Sequence, residues 1–169
     1  MGRFLGVFFC VMTGLFVLEL LPVGQRYLVA PLTVALTHSC AFIIELLGRE
    51  LLVDGILIID NASGFTVQIA AGCNGVEAMI LLIAAIVAFP APWRYKLGGL
   101  ILGLISIQLL NIVRIVSLFY LGIFYKAAFE WAHLYIWQAL IMLDTLLVWM
   151  VWIRYIPERD AVGPANAPA

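Results

Sequence analysis

Residues 65–89 read FTVQIAAGCNGVEAMILLIAAIVAF, and two kinds of periodicity meet inside them. Phe65, Val67 and Ile69 alternate with Thr66 and Gln68, the two-residue period of a strand with one face buried. Past Ala70-Ala71-Gly72-Cys73-Asn74-Gly75 the alternation stops, and the chain from Val76 to Phe89 is apolar almost without interruption until Pro90-Ala91-Pro92. A strand that feeds through a glycine-flanked cysteine into a membrane-type helix sets the fold: helices in a bilayer, with a small β-structure outside it.

The rest of the chain agrees with this reading. Of 169 residues, 65% are hydrophobic and 11% charged, and the mean hydropathy is +1.12, a composition that excludes an ordinary soluble domain. About 20 apolar residues in a helix cross a hydrocarbon core of about 30 Å. Candidate runs occupy 4–21, 28–47, 75–92, 97–119 and 134–153. The expected fold is an all-α integral membrane helical bundle of four to five transmembrane helices, with an extracytoplasmic β-hairpin at about 50–72 just before the helix that follows Cys73. Residues 1–155 are expected to form a single multi-pass domain. Residues 156–169, rich in Pro, Ala and Gly with no apolar period, are expected to be a short disordered cytoplasmic tail.

The hairpin is read from LLVDGILII (51–59), rich in β-branched residues, from the turn chemistry of Asp60-Asn61-Ala62-Ser63-Gly64, and from the alternating segment that follows. Because open sheet edges cannot face lipid, it must lie in water or against the helices. The aromatic and basic cluster Trp93-Arg94-Tyr95-Lys96 marks a cytoplasmic end. Counting helices from it puts Cys73, the end of the fourth run and the start of the fifth on the outer face, and Arg154 and Arg159 inside. The N-terminal run is long and ends in Leu-Pro-Val-Gly-Gln-Arg, not in a small-x-small cleavage site, so it reads as a retained helix. Loop cations do not decide whether the second run spans. Its Thr33, Thr37, His38, Glu45 and Pro31 point to an interfacial or re-entrant helix.

The net charge of −1 gives no footprint for nucleic acid. Cys10, Cys40 and Cys73 form no CxxC and no metal-ligand spacing, which argues against a disulfide-exchange enzyme, a metal site or a cofactor. Cys10 and Cys40 lie inside apolar runs and read as packing. Cys73 starts a helix, where the dipole favours a thiolate, and Gly72 and Gly75 leave room for a substrate backbone.

Each ionisable group near a span is a candidate, because a charge at the bilayer centre costs at least about 2.5–3.5 kcal/mol. Asn111 and Arg114, three residues apart in QLLNIVRIVSLFY, share one helical face near the outer end. Arg114 taken alone could be a snorkelling cation, but an amide one turn deeper suits a polar pocket better. His133, in FEWAHLYIWQAL, could be one member of an aromatic belt, yet topology puts it on the same face as Cys73 and Arg114. A cysteine nucleophile, a histidine base and then acid, and an arginine for the oxyanion or a carboxylate are the parts of thiol acyl transfer. Glu77 and Asp144 could orient a partner or pair with Arg114, or could simply satisfy one another or a backbone group. Asn74 sits beside the cysteine as a further supporting or substrate-binding candidate.

AAGCNGVEAM, NIVRIVSLFYLG and WAHLYIWQALIMLD, in that order and preceded by an alternating hairpin, resemble the exosortase family of bacterial membrane transpeptidases. AGCNGVEAMILL, FPAPWRYKL and FEWAHLYIWQALIMLD look most like its H type, and the resemblance covers roughly 50–154. It implies a multi-pass inner-membrane enzyme that cleaves exported proteins bearing a C-terminal sorting signal: a short motif, a transmembrane helix and a basic tail. For the H type the motif is Ile-Pro-Thr-Leu-like. It implies Cys73, Arg114 and His133 as the catalytic positions, with a glycan or lipid as acceptor. Two readings of other kinds remain beside it: a non-catalytic transport or assembly protein with a buried polar network, and a purely hydrolytic membrane peptidase.

Overall fold

The computed structural model describes residues 2–156. The tail expected to be disordered lies, apart from Ile156, outside the described residues.

Four helices are long and apolar enough to cross a membrane: α1, Gly2–Leu20; α2, Pro22–Leu46; α4, Trp93–Phe124; and α5, Lys126–Arg154. Between them lies the shorter α3, Val76–Ala88. The expected helical membrane fold is what the structure shows, but the lengths differ from the hydropathy runs. α3 has 13 residues and is about 20 Å long, short of a hydrocarbon core of about 30 Å. α4 has 32 residues and is about 48 Å long.

α3 is the axis of the bundle. Ala78, Leu82 and Ile86 pack with Ile107, Ile141 and Trp152 from α4 and α5, and its other side meets α1 through Val76 and Ile80 beside Met12, Leu15 and Phe16. α1 runs antiparallel to α3, since Phe4 meets Phe89 edge to face at 6.4 Å while Phe16 lies by Val76 and Ile80. The chain therefore starts at the Trp93 end of the bundle. There Lys96 donates to the Val87 carbonyl at 2.6 Å, a cation closing the C-terminal turn of α3. The Trp152 indole donates to the Tyr95 carbonyl at 2.8 Å and ties α5 to α4.

Although α2 is long enough to span, it does not run back along α1. Its start packs beside Val76 and Ile80, and Leu36, Cys40 and Ile44 pack against Ile58, Ile69, Ile115 and Phe119. All these partners belong to the Cys73 end. This arrangement puts Arg3 at the same end as Arg94 and Lys96.

The hairpin is a three-stranded antiparallel meander, β1 Leu51–Asp54, β2 Leu57–Asp60 and β3 Thr66–Gln68, in the order β1-β2-β3. The expected hairpin thus gains a third strand, because an extra turn falls within LLVDGILII. Asp54 pairs with Leu57, leaving a two-residue loop whose first member, Gly55, has φ +58°. Glycine at that position fits the II′ hairpin turn, whose twist matches the flanking strands.

Asp60 anchors the second turn. It is fully buried and accepts from the Ser63 amide at 2.9 Å, from the Ser63 hydroxyl and from Arg49 at 3.3 Å. The Ser63 hydroxyl, opposed by burial and helped by the Ser63 amide and Arg49, holds the carboxyl below its ordinary value. The folded value lies below the unfolded one near 3.9, so its contribution is complete above about pH 4 and fades as pH falls through the lower folded value. Asp60→Ala is expected to speed hydrogen exchange at Ser63 and Phe65 by about tenfold or more at neutral pH; unchanged exchange would show that the carboxylate does not hold the turn.

Candidate active site

Between β3 and α3 the chain makes a tight loop, with the Cys73 amide donating to the Ala70 carbonyl at 3.0 Å. Gly72 and Gly75 have φ +81° and +77°. α3 begins only at Val76, with Gly75 as its N-cap, so Cys73 lies three residues before the helix. This corrects the expectation that a helix dipole favours its thiolate, because that influence is confined to the first turn.

What holds the loop is a ladder on α4. Gln108 donates to the Asn74 carbonyl at 3.2 Å, Asn111 to the Cys73 carbonyl at 3.1 Å, and Arg114 to the Gly72 carbonyl at 3.2 Å. Three side chains at i, i+3 and i+6 thus take three consecutive carbonyls. Helical spacing puts the side chains in one row, and the two left-handed glycines let the tight loop turn its carbonyls toward them. Asn111 and Arg114 are 0% and 1% exposed. Gln108 was not singled out in the sequence, though its spacing from Asn111 carries the same signal that linked Asn111 to Arg114.

Arg114 also reaches the thiol, with Nη2 at 3.6 Å from Cys73 Sγ. Cys73 Sγ, Arg114 and His133 line one cavity of about 180 Å³ with Thr66–Ile69 of the β3 segment, Ile115, Leu118 and Phe129. His133 sits in a π-helical turn, Ala132–Ile136, a local widening that often marks functional sites. Its ring stacks on Phe129 at 5.7 Å. Its Nδ1 and the Arg114 Nε are buried with no hydrogen-bond partner among the described residues.

Burial pushes the Cys73 thiol above its ordinary value; the Arg114 guanidinium pulls it down and the Glu77 carboxylate adds to the rise. Because burial disfavours the thiolate, attack by Cys73 calls for a proton acceptor beside it.

The other expected residues divide between loop scaffold and distance. Glu77 accepts from the Gly72 amide at 2.7 Å and forms no ion pair with Arg114. Asn74, 1% exposed, donates to Thr33 of α2 at 3.2 Å and accepts from the Val76 amide at 3.1 Å, so its amide is engaged within the scaffold. Asp144 is not among the residues that line the cavity, and its Oδ2 is buried and unpartnered among the described residues. Gly72 has open space where a Cβ would stand, whereas a Cβ on Gly75 would lie 3.3 Å from both the Asn111 and Gln108 amide nitrogens. Gly75→Ala is expected to cost about 1–2 kcal/mol from the left-handed backbone alone and to push the ladder off its carbonyls. A thermal unfolding midpoint in detergent equal to wild type would contradict this.

The family model for transmembrane exosortases (Exosortase_EpsH) matches residues 4–152. This chain belongs to the exosortase family. No curated protein and no solved structure matches it. The family match takes in α1 and α2, which the sequence resemblance left aside, as well as Cys73, Arg114 and His133 of this exosortase. Among its described residues no cluster of His, Cys, Asp and Glu has the geometry of a metal site.

Proposed function

We propose that this exosortase is a membrane cysteine transpeptidase that cleaves C-terminal sorting signals of exported proteins, with Cys73 as nucleophile, Arg114 as oxyanion donor and His133 as general base and acid. The observation that carries the reading is the 3.6 Å approach of Arg114 to the Cys73 sulfur at a cavity that His133 also lines. An arginine that takes one loop carbonyl and one sulfur, and has Nε left over, has hydrogen-bonding capacity for a third group.

In this mechanism a substrate entering the cavity displaces water, and His133 takes the thiol proton as the sulfur attacks the scissile carbonyl. Arg114 donates to the oxygen as it gains charge. The C–N bond breaks, His133 returns the proton to the leaving amine, and a thioester to Cys73 remains. The acceptor, a hydroxyl or amine on a glycan or lipid, then gives its proton to His133, attacks the thioester and displaces the sulfur, which takes that proton from His133 so that thiol and neutral imidazole are both restored. The cavity opens at the end of the bundle opposite Arg94 and Lys96, which suits an extracytoplasmic site in the bacterial inner membrane. A substrate held by its own transmembrane helix arrives at high effective concentration, so its short motif, Ile-Pro-Thr-Leu-like for the H type, need not bind tightly.

Co-expression with a tailed substrate, followed by mass measurement of the released product, tests the reaction. A product carrying an added acceptor is the expected result. A free carboxylate at the new C-terminus would make the enzyme a hydrolase, and an unprocessed tail would overturn the proposal.

A further inference from the structure

The three-stranded sheet has two edges, and the structure treats them differently. β1, at one edge, packs against α2 and is set among charges, with Arg49 and Glu50 before it and Asp54 at its end. Charged residues and a covering helix are the usual protections of an edge strand. β3, at the other edge, carries neither charge nor proline in Thr66-Val67-Gln68, and this unguarded segment lines the cavity that holds Cys73, Arg114 and His133.

Which backbone groups are free follows from the ladder. The Asp60 amide donates to the Phe65 carbonyl at 2.9 Å and the Ile69 amide to the Ile56 carbonyl at 3.0 Å. Hydrogen-bonded pairs alternate in an antiparallel ladder, so Phe65, Val67 and Ile69 turn their backbone groups toward β2. Thr66 and Gln68 turn theirs the other way, to the open edge. Within the membrane interface such groups need either water or a partner backbone. The inward side chains Phe65, Val67 and Ile69 are fixed in the core cluster, which makes the edge a rigid template.

A second observation points to the same occupant. Arg114, 1% exposed, lines this cavity with Nε unpartnered among the described residues, a donor available to a peptide carbonyl at the end of the edge nearest the thiol. We propose that the segment of the substrate next to its scissile bond docks as an added β-strand on the free edge of β3, pairing backbone to backbone with Thr66 and Gln68, with its reacting carbonyl directed to Arg114 and Cys73. This rests on the transpeptidase reading and specifies how that site receives its peptide. Strand addition draws affinity from main-chain bonds and specificity from alternate side chains, here the ones turned toward Leu118 and Phe129.

The test uses full-length Cys73→Ala protein in detergent and a fluorescent synthetic peptide with an Ile-Pro-Thr-Leu segment, an apolar helix and a basic tail. The peptide is N-methylated at one backbone nitrogen at a time through and around the motif, and binding is read by anisotropy. Methylation is expected to weaken binding by about tenfold at alternate positions and to have little effect between them. Gln68→Pro in the same background, which removes an outward N–H but no ladder bond, is expected to weaken binding of the unmodified peptide to a similar degree. No binding, or a loss without a two-residue period, overturns strand docking. Wild-type protein given the unmodified peptide separates the two ideas: periodic binding without cleavage leaves the docking standing and overturns the transpeptidase reading.

Discussion

Cys73→Ala is expected to leave a co-expressed tailed substrate unprocessed, with product below roughly one-thousandth of the wild-type amount, while Cys10→Ala processes it normally. The three thiols stand in different surroundings. Cys10 is exposed on α1 and Cys40 is fully buried beside Ile44, Ile58 and Phe119. Only Cys73 faces a cavity with a guanidinium at 3.6 Å. Cys73→Ser should be nearly as inactive, because a hydroxyl lacks the thiol's acidity and nucleophilicity at neutral pH. A protein acting through a polar network alone would keep its function with serine there. Processing by either Cys73 variant, read by immunoblot of the substrate tail, would remove this residue from the chemistry.

Arg114→Ala is expected to lower cleavage by about 10²–10³-fold, the usual loss when an oxyanion donor is removed. It should also shift the pH profile of Cys73 alkylation by iodoacetamide to higher pH. Burial already raises the thiol, and Arg114 is the influence that opposes it. Arg114→Lys separates charge from shape. An ammonium retains the positive charge, so the alkylation profile should move little, but one point charge cannot replace the planar fork that reaches both the Gly72 carbonyl and the sulfur. Cleavage by the lysine variant is therefore expected to stay at least about tenfold below wild type. An alanine variant with unchanged alkylation and unchanged cleavage would refute the assigned role.

The parts of the fold that the sequence made legible were the local ones. Apolar runs located the helices, and the alternation of Phe65, Val67 and Ile69 located β3. Helical spacing put Asn111 and Arg114 on one face, and the structure brings both to the Cys73 loop. Asp54-Gly55 was a legible turn signal inside LLVDGILII that the β-branched run obscured. Gln108 was missed because a glutamine at a helix surface is ordinary until the carbonyl it faces is known, and that carbonyl, on Asn74, belongs to another element. The path of α2 was not legible for a similar reason. Thr33, Thr37, His38, Glu45 and Pro31 point to an interfacial or re-entrant helix, the segment is also long and apolar enough to span, and its path follows from contacts with Ile58, Ile69 and Phe119 of other elements. The upward push of burial on the Cys73 thiol was likewise hidden, since that burial depends on packing from other elements.

Both jaws of the cavity are mounted on one post. The cysteine loop is fastened to α4 by Gln108, Asn111 and Arg114. The β3 segment is fastened to the same helix higher up, where Phe65 meets Phe119 edge to face and lies so close to Gly122 that a Cβ would overlap its ring. When α4, about 48 Å long, tilts to suit a thicker or thinner bilayer, nucleophile and strand move together and their separation is kept. What changes is their height above the lipid. A client protein anchored by its own helix would then be gauged like cord against a fixed notch: the number of residues between its membrane exit and its cleavage point becomes a measured length, and membrane thickness a variable in choosing which tails are cut.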